Sequence, residues 1–154
     1  GTMLPAEVAN RTHEQFWDYS LPVNPVDIAT RAGFTVFTDP SLEISGYYDE
    51  TRRRILINPL DPPNRQRFSI AHELGHALMQ HGSSPRDGRR LFTQDNYILK
   101  EFEANEFAGE LLMPREAVKV MIEQRNLDFD ALCEKFGVSA EAMSIRLKRL
   151  GYVR

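Results

Sequence analysis

Apolar residues recur at helical spacing along residues 68–82, which read FSIAHELGHALMQHG. Intervals of three and four residues place them on one face, as in an amphipathic helix that packs on a core. Gly82 supplies a stop signal, and residues 61–66 read as a connection into the helix. The apolar positions of this face are Phe68, Ala71, Leu74, Ala77 and Leu78.

The chain before this helix divides into shorter elements. Residues 3–20 predict a weakly periodic first helix, and a second helix starts near Pro25 and ends at Gly33. The alternation of residues 34–37 predicts a short strand. Residues 44–59 contain two β-rich runs separated by polar residues, which is typical of a hairpin.

The chain after the helix reads as an aperiodic stretch followed by further helices. Residues 83–96 mix turn residues and charges, which predicts a loop that can act as a lid. A helix is expected over 97–113, where Pro114 ends it, and another over 115–123. Residues 127–151 predict a pair of short helices that resembles a helix-turn-helix.

Length and composition indicate one soluble globular domain. The 154 residues suit a single domain 1–154, with an N-terminal segment 1–20 and the helical pair 127–151 packed on the core. No apolar run approaches the roughly 20 residues that a membrane helix needs, so no membrane contact is expected. The N-terminus lacks a basic segment followed by an apolar one, which predicts a cytoplasmic location.

The charge pattern argues against direct contact with nucleic acid. The net charge is -3, so the protein as a whole does not attract a phosphate backbone. Arg52, Arg53 and Arg54 form a tight basic cluster, but their place at the predicted hairpin favours a solvated edge that discourages strand pairing. We therefore expect no nucleic-acid partner.

Three residues of the central helix carry the candidate chemistry. His72 and His76 lie four residues apart, so both imidazoles project from one helix face and can bind one metal ion. Glu73 is rotated by about 100° from His72, where it joins the ligand set poorly but can act as a general base. This H-E-x-x-H spacing predicts a metal site, and a core helix with two histidines by chance is the alternative.

A catalytic zinc takes three protein ligands and leaves a fourth position open, so one more donor is needed. On the predicted helix 97–113, Glu101 and Asn105 share a face, and Glu101 is the preferred third ligand. Asn105 can hydrogen-bond a ligand and hold its orientation. Glu103 is the alternative ligand, although it points away from this face.

Other donors fit the site less well. His81 lies outside the metzincin spacing, which would require glycine at Met79 and histidine at Gly82, so that class is excluded. Cys133 falls in an apolar helical pattern, which favours a buried small side chain. His13 lies in the weakly periodic N-terminal segment.

Three stretches together resemble the ImmA/IrrE family of metallopeptidases, which belongs among the gluzincins. They read RFSIAHELGHALMQH, EFEANEFAGELLMP and FGVSAEAMSIRLKRLGYV, and the resemblance covers residues 44–153. It implies an α+β fold with a small antiparallel three-stranded sheet beside the H-E-x-x-H helix and a mostly helical C-terminal half. It also implies one zinc ion per chain, held by His72, His76 and a glutamate that maps onto Glu101.

The resemblance further implies an enzyme that cuts a protein substrate. Family members act on, or together with, helix-turn-helix repressors, so the expected activity is zinc-dependent hydrolysis of a peptide bond in such a repressor or a regulatory partner. Glu73 would accept a proton and pass it to the leaving amine. A tyrosine would stabilise the oxyanion, with Tyr97 as the chosen residue and Tyr47 and Tyr48 as alternatives.

Two other functions stay open on the sequence. A zinc protein without catalysis would serve as the partner-binding component of a toxin-antitoxin or repressor/anti-repressor pair. The helix-turn-helix-like pair motivates a DNA-binding regulator, with Ser139, Arg146 and Lys148 at phosphates or bases. The apolar positions of its second helix favour packing on the core instead.

Overall fold

The computed structural model describes residues 3–80 and 94–154, with the side chains of 94 and 95 excepted. Helices dominate these two ranges and a small three-stranded sheet accompanies them, which confirms the α+β class. Within them, no helix is long and apolar enough to cross a bilayer. The elements in chain order are α1 (Pro5–Phe16), α2 (Pro25–Arg31), β1 (Thr35–Thr38), β2 (Gly46–Asp49), β3 (Arg54–Ile57), α3 (Pro63–Leu78), α4 (Gln94–Leu112), α5 (Arg115–Glu123), α6 (Phe129–Phe136) and α7 (Ala140–Arg149).

The H-E-x-x-H residues lie on α3, which starts earlier than the apolar pattern predicts. Pro63 occupies its first turn, so much of the stretch 61–66 is helix instead of connection. The prediction is wrong there because proline at the first helical position is pre-organised for a helix, whereas the apolar face begins only at Phe68. Gly82 and residues 83–93 of the predicted loop lie outside the described residues.

The sheet has the strand order β1-β3-β2, with β3 in the middle. β2 and β3 form the predicted antiparallel hairpin, in which Tyr48 lies opposite Ile55. β1 instead runs parallel to β3, with Val36 opposite Ile55. The sheet is therefore mixed, and the expectation of an entirely antiparallel sheet is wrong for β1.

The connection between β1 and β2 accounts for the mixed sheet. Residues 39–45 carry the chain over to the far edge instead of turning back in a tight hairpin. This leaves a space beside β1 that β3 fills. β3 runs parallel to β1 because both strands are antiparallel to β2. The crossing segment is held at its start, where Asp39 N–H donates to the Ile57 carbonyl at 2.9 Å. It is held again where the Asn58 amide donates to the Leu42 carbonyl at 3.2 Å.

α3 packs against β2 and β3 and against α4. The two helices approach closely at Gly75, where an added Cβ would lie 2.9 Å from the Phe107 ring. The Phe107 side chain is fully buried, so it has no room to move away. Glycine at this position therefore allows the helix spacing that brings the C-terminal half of α3 next to α4.

α6 and α7 pack on the same core as α3. Ser139 caps α7, because its hydroxyl accepts the Ala142 N–H at 3.1 Å. Arg67 of α3 reaches the join between the two helices and donates to the Gly137 carbonyl at 3.1 Å. The apolar residues that this pair contributes to the core are Leu132, Phe136, Val138, Met143 and Leu147.

The three arginines at the hairpin form hydrogen bonds and ion pairs with neighbouring groups. Arg53 donates to the Gly33 carbonyl at 3.3 Å. Arg52 and Arg54 lie 3.2 and 3.4 Å from the Asp49 carboxylate. These contacts agree with a structural role for the cluster at the hairpin.

Arg146 of α7 holds the C-terminal pair against α4. Its side chain is 3% exposed, donates to the Met113 carbonyl at 3.0 Å, and binds both carboxylate oxygens of Glu110 at 2.8 and 2.9 Å. We expect Arg146→Ala to lower the free energy of unfolding by about 3 kcal/mol, because it leaves the Glu110 carboxylate without its partner. Urea denaturation of the variant measures this loss.

Lys148→Ala is the matched control, since Lys148 is an exposed basic residue of the same helix. Its effect should stay within about 0.5 kcal/mol. Equal, small effects of the two substitutions would contradict a structural role for Arg146. The burial of Arg146 also weakens the DNA-binding alternative, because a guanidinium occupied inside the protein does not reach a phosphate or a base.

Candidate metal centre and its cleft

Three side chains from two helices converge where α3 and α4 face each other. The Nε2 atoms of His72 and His76 lie 3.1 Å apart, as their four-residue spacing on α3 predicts. The Glu101 carboxylate of α4 lies against both, with Oε2 at 2.5 Å from the His76 Nε2 and Oε1 at 3.4 Å from the His72 Nε2. The structure therefore brings together the three residues that the sequence predicts as metal ligands.

Asn105 sets the orientation and tautomer of His72. The Nδ1 of His72 lies 2.8 Å from the Asn105 Oδ1. Because an amide oxygen only accepts, Nδ1–H is the donor, and the lone pair of His72 is on Nε2. Asn105 is one turn after Glu101 on α4, so the same helix supplies the carboxylate and the group that orients the imidazole beside it.

Glu73 lies beneath this group, against β2. This residue is 5% exposed, and its Oε2 is 3.9 Å from the His72 Nε2. The backbone N–H of Tyr48 donates to the carboxylate, whereas its Oε1 is buried without a hydrogen-bond partner. A Cβ at Gly46 would lie 3.2 Å from the Glu73 Cγ, so glycine in β2 lets the strand approach this carboxylate closely.

The electrostatics favour an ionised carboxylate on α4. Burial alone would raise the pKa of Glu101, but the adjacent imidazoles of His72 and His76 outweigh it and lower the pKa to about 2. At Glu73, burial outweighs the opposite effect of His72 and His76 and raises the pKa of that carboxyl above its usual range. The two glutamates of the site are thus held in different environments, one as an anion between imidazoles and one in a poorly solvated position.

The arrangement fits a divalent metal ion. Two imidazole nitrogens and one carboxylate are the donor set of a His2Glu site. The Glu101 Oε2 is buried and lies 2.5 Å from the His76 Nε2, and the two imidazole Nε2 atoms lie 3.1 Å apart, so the three donor groups are close enough together to share one ion. His72, Glu73 and His76 also form a group of donor atoms compact enough to hold an ion.

Other predicted candidates lie elsewhere. His13 is buried in α1 and its Nε2 lies 2.9 Å from the Leu111 carbonyl, so it links α1 to α4. Cys133 of α6 packs against the core. The helical turn places Glu103 about 200° from Glu101 around α4. His81 lies outside the described residues.

A cleft of about 940 Å³ runs from the start of β2 past the metal centre to α7. Tyr97, the predicted oxyanion donor, is 38% exposed and lines this cleft one turn before Glu101. Tyr48 is 4% exposed, with its ring 5.9 Å from that of Phe34. The cleft therefore includes Tyr97, while the Tyr48 side chain belongs to the core.

Two glycines that shape the site were not selected from the sequence. Gly46 lets β2 reach Glu73, and Gly75 sets the spacing between α3 and α4. Each had a signal, because glycine inside a strand or helix pattern indicates close approach of another backbone or side chain. The sequence alone did not indicate which group approaches.

The chain matches a known family of peptidases. The family described as the IrrE N-terminal-like domain matches residues 28–148, and the chain belongs to it. This match confirms the resemblance to the ImmA/IrrE family.

Relatives of the chain include a phage protein and two bacterial metalloproteases. Uncharacterized immunity region protein 2 of Bacillus phage phi105 is 34% identical over 130 residues, which span 80% of this chain and 78% of that protein. Radiation response metalloprotease IrrE of Deinococcus radiodurans is 34% identical over 111 residues, 68% of this chain and 29% of that protein. The same protein of Deinococcus deserti is 29% identical over 119 residues, 76% and 38% respectively. The chain thus matches well under half of each radiation response protein.

A solved structure shares the fold. The Mycobacterium tuberculosis transcriptional regulator superposes with a TM-score of 0.69 over 94% of this chain and 46% of its own. The sequence identity is 21%, so the similarity concerns the fold alone.

Proposed function

We propose that this protein is a zinc-dependent endopeptidase that hydrolyses a peptide bond in a protein substrate, a helix-turn-helix transcriptional repressor or regulatory partner. The observation that carries the proposal is the convergence of two imidazole nitrogens and the Glu101 carboxylate, with the Glu73 carboxylate 3.9 Å from the His72 Nε2. A buried base beside a three-donor metal site is the arrangement that metal-assisted hydrolysis requires.

His72, His76 and Glu101 would hold one zinc ion per chain. When bound, zinc supplies Lewis acid chemistry that polarises a carbonyl and makes a water molecule more acidic. The hydrogen bond to Asn105 leaves the His72 Nε2 lone pair free, so this nitrogen would be available to bind the ion. Burial of His76, which is 3% exposed, limits the positions that its imidazole can take.

Glu73 acts as the general base in this proposal. Its carboxylate accepts a proton from the attacking water and passes it to the leaving amine. The Tyr48 N–H and the close packing of Gly46 fix the carboxylate in position. Low solvation of Glu73 makes its ionised form a stronger base than an exposed glutamate.

The substrate binds as an extended segment along β2. In the order β1-β3-β2, this strand lies at an edge of the sheet, and its start lines the cleft next to Glu73. An edge strand can add a further strand through backbone hydrogen bonds, which would place a peptide across the metal centre. Tyr97, on the cleft wall formed by α4, is the proposed donor to the oxyanion.

The proposal of a repressor as substrate rests on the family and on the phage relative. The relative from phage phi105 is an immunity region protein, and this chain covers 78% of it. A protein substrate involved in repression is compatible with that similarity. The alternative is a zinc protein that binds its partner without cutting it, and a cleavage assay distinguishes the two functions.

The test combines elemental analysis with a cleavage assay. The zinc-loaded full chain is incubated with helix-turn-helix repressors from the same source genome, and the products are identified by intact mass. We expect about one zinc per chain and one discrete cut that a chelator abolishes and added zinc restores. A zinc-containing protein that binds a repressor without cutting it would support the partner-binding alternative. Absence of metal after zinc is supplied would overturn the site.

Asn105→Ala is expected to lower zinc affinity by about 10–100-fold, because the imidazole of His72 loses the acceptor that fixes its tautomer. Competition with a chromogenic chelator measures the change. Asn105→Asp keeps an acceptor at this position and should retain most of the affinity. Equal zinc affinity in the alanine variant and the wild type would show that Asn105 does not orient the ligand.

A further inference from the structure

We propose that the groove between α4 and α7, centred on Gly109, is a substrate subsite that selects an apolar side chain a few residues from the cut. The inference rests on the proposed peptidase function, because it concerns the far end of the same cleft. It assigns to the C-terminal helical pair a role in recognising the substrate. The groove is defined by Gly109 of α4, by Met113 directly after that helix, and by Ala142 and Ile145 of α7.

The cleft-facing side of α4 continues from the metal centre to this groove. Glu101, Asn105 and Gly109 follow one another at four-residue intervals, and all three line the cleft. A rise of 1.5 Å per residue puts Gly109 about 12 Å from Glu101 along the helix. An extended peptide covers that distance in about three or four residues, at about 3.3 Å each.

Gly109 leaves this part of the cleft open. A Cβ added there would meet only the Met113 Cε among the described atoms, at 4.0 Å. The position differs from Gly75 on α3, where an added Cβ would collide with a buried ring. Packing therefore does not require glycine at 109, and a larger side chain there would occupy the groove.

α7 forms the opposite wall. Ala142, Ile145 and Arg149 of this helix line the cleft at the spacing of one helix face. The Ile145 side chain is 51% exposed, so an apolar group is presented at the rim. Arg146 is 3% exposed and lies below it.

Four charged side chains that line this end of the cleft are paired with each other. Glu110 binds Arg146 at 2.8 and 2.9 Å, and Glu106 binds Arg149. The Arg149 guanidinium also lies 5.3 Å from the centre of the Phe102 ring. Because these ion pairs connect α4 to α7 and satisfy one another, they offer little to a charged ligand. The exposed apolar surface of Ile145 and the space above Gly109 favour an apolar side chain of the substrate.

The deciding variant is Gly109→Leu, which fills the groove from its floor. Leucine favours a helix over glycine, so the variant should fold at least as well as the wild type, and thermal unfolding checks this. Gly109→Ala is the matched control, because it makes the same backbone change and adds only a methyl group. Val26→Leu is a second control, with added bulk at an exposed apolar residue of α2 away from the cleft.

The probe is reduced and alkylated casein, an unfolded protein that offers many sequences, with cut sites mapped by mass spectrometry. In the wild type we expect large apolar residues to be enriched at one position three or four residues from the cut. Gly109→Leu should shift that position to glycine or alanine and raise KM at least about tenfold, with zinc content unchanged. Val26→Leu should keep the wild-type preference, and Gly109→Ala should change it less than Gly109→Leu does. An unchanged preference and KM in Gly109→Leu would overturn the subsite.

Binding without catalysis separates the subsite from the proposed function. Fluorescein-labelled casein is titrated with zinc-loaded Glu73→Gln and Glu73→Gln/Gly109→Leu proteins, and anisotropy reports binding. If the wild type cuts neither casein nor the repressors, the peptidase proposal fails, but at least about tenfold weaker binding by the double variant would still support the groove. Equal binding by the two proteins would overturn the groove whether or not the wild type cuts.

Discussion

Glu73→Gln is expected to lower the rate of peptide hydrolysis by about 10²–10⁴-fold while the protein keeps its zinc. The substitution retains the shape of the side chain but removes the group that accepts the proton. The ligands His72, His76 and Glu101 are unchanged, so metal binding should persist. Elemental analysis and the repressor cleavage assay, carried out on the same preparation, measure both quantities.

The stability of this variant provides a second check. The Glu73 Oε1 is buried without a hydrogen-bond partner, and its carboxylate costs desolvation energy in the folded state. A neutral amide of the same size should therefore leave the thermal unfolding temperature equal to or above that of the wild type. Glu134→Gln, at an exposed position on α6, is the control and should keep full activity. A Glu73→Gln protein that still cuts at the wild-type rate would remove Glu73 from the mechanism.

The helical half was predictable because its signals are local. Pro114 separates α4 from α5, and α5 occupies 115–123 as predicted. Ser139 at the start of α7 caps the helix through its own side chain. Such signals act within one turn of helix, so they can be read without knowledge of the rest of the chain.

The sheet was less predictable because strand order depends on distant parts of the chain. The hairpin of β2 and β3 follows from a short turn, and it was predicted. The direction of β1 relative to β3 depends on the path of residues 39–45, which cross to the far edge. The pattern of residues within β1 does not indicate whether this strand pairs with β2 or with β3.

The same distinction applies to the metal centre. The proximity of His72 and His76 follows from four-residue spacing on one helix, whereas the proximity of Glu101 depends on how α3 meets α4. Gly75 and Phe107 determine the distance between α3 and α4, and the sequence does not show that these two residues face each other. The choice of Glu101 over Glu103 therefore rested on the helix face shared with Asn105 and on the family resemblance.

Glu101→Ala should remove zinc from the purified protein, whereas Glu103→Ala should retain about one ion per chain. The Glu101 carboxylate lies against both imidazoles, so its loss leaves a two-donor site. Loss of an orienting group such as Asn105 lowers zinc affinity by about 10–100-fold, and loss of a ligand should lower it further. Elemental analysis after dialysis, followed by zinc titration against a chelator, measures both variants.

The pair is informative because the two glutamates differ mainly in direction. Both belong to α4 and lie two residues apart, so alanine changes helix propensity equally at each position. Any difference in zinc affinity then reports which carboxylate faces α3. Loss of zinc from Glu103→Ala with retention in Glu101→Ala would move the third ligand to Glu103 and require α4 to turn by about 160° relative to α3. Such a rotation would carry Asn105 away from His72, so the Asn105→Ala variant would then keep wild-type zinc affinity, and the two experiments must agree.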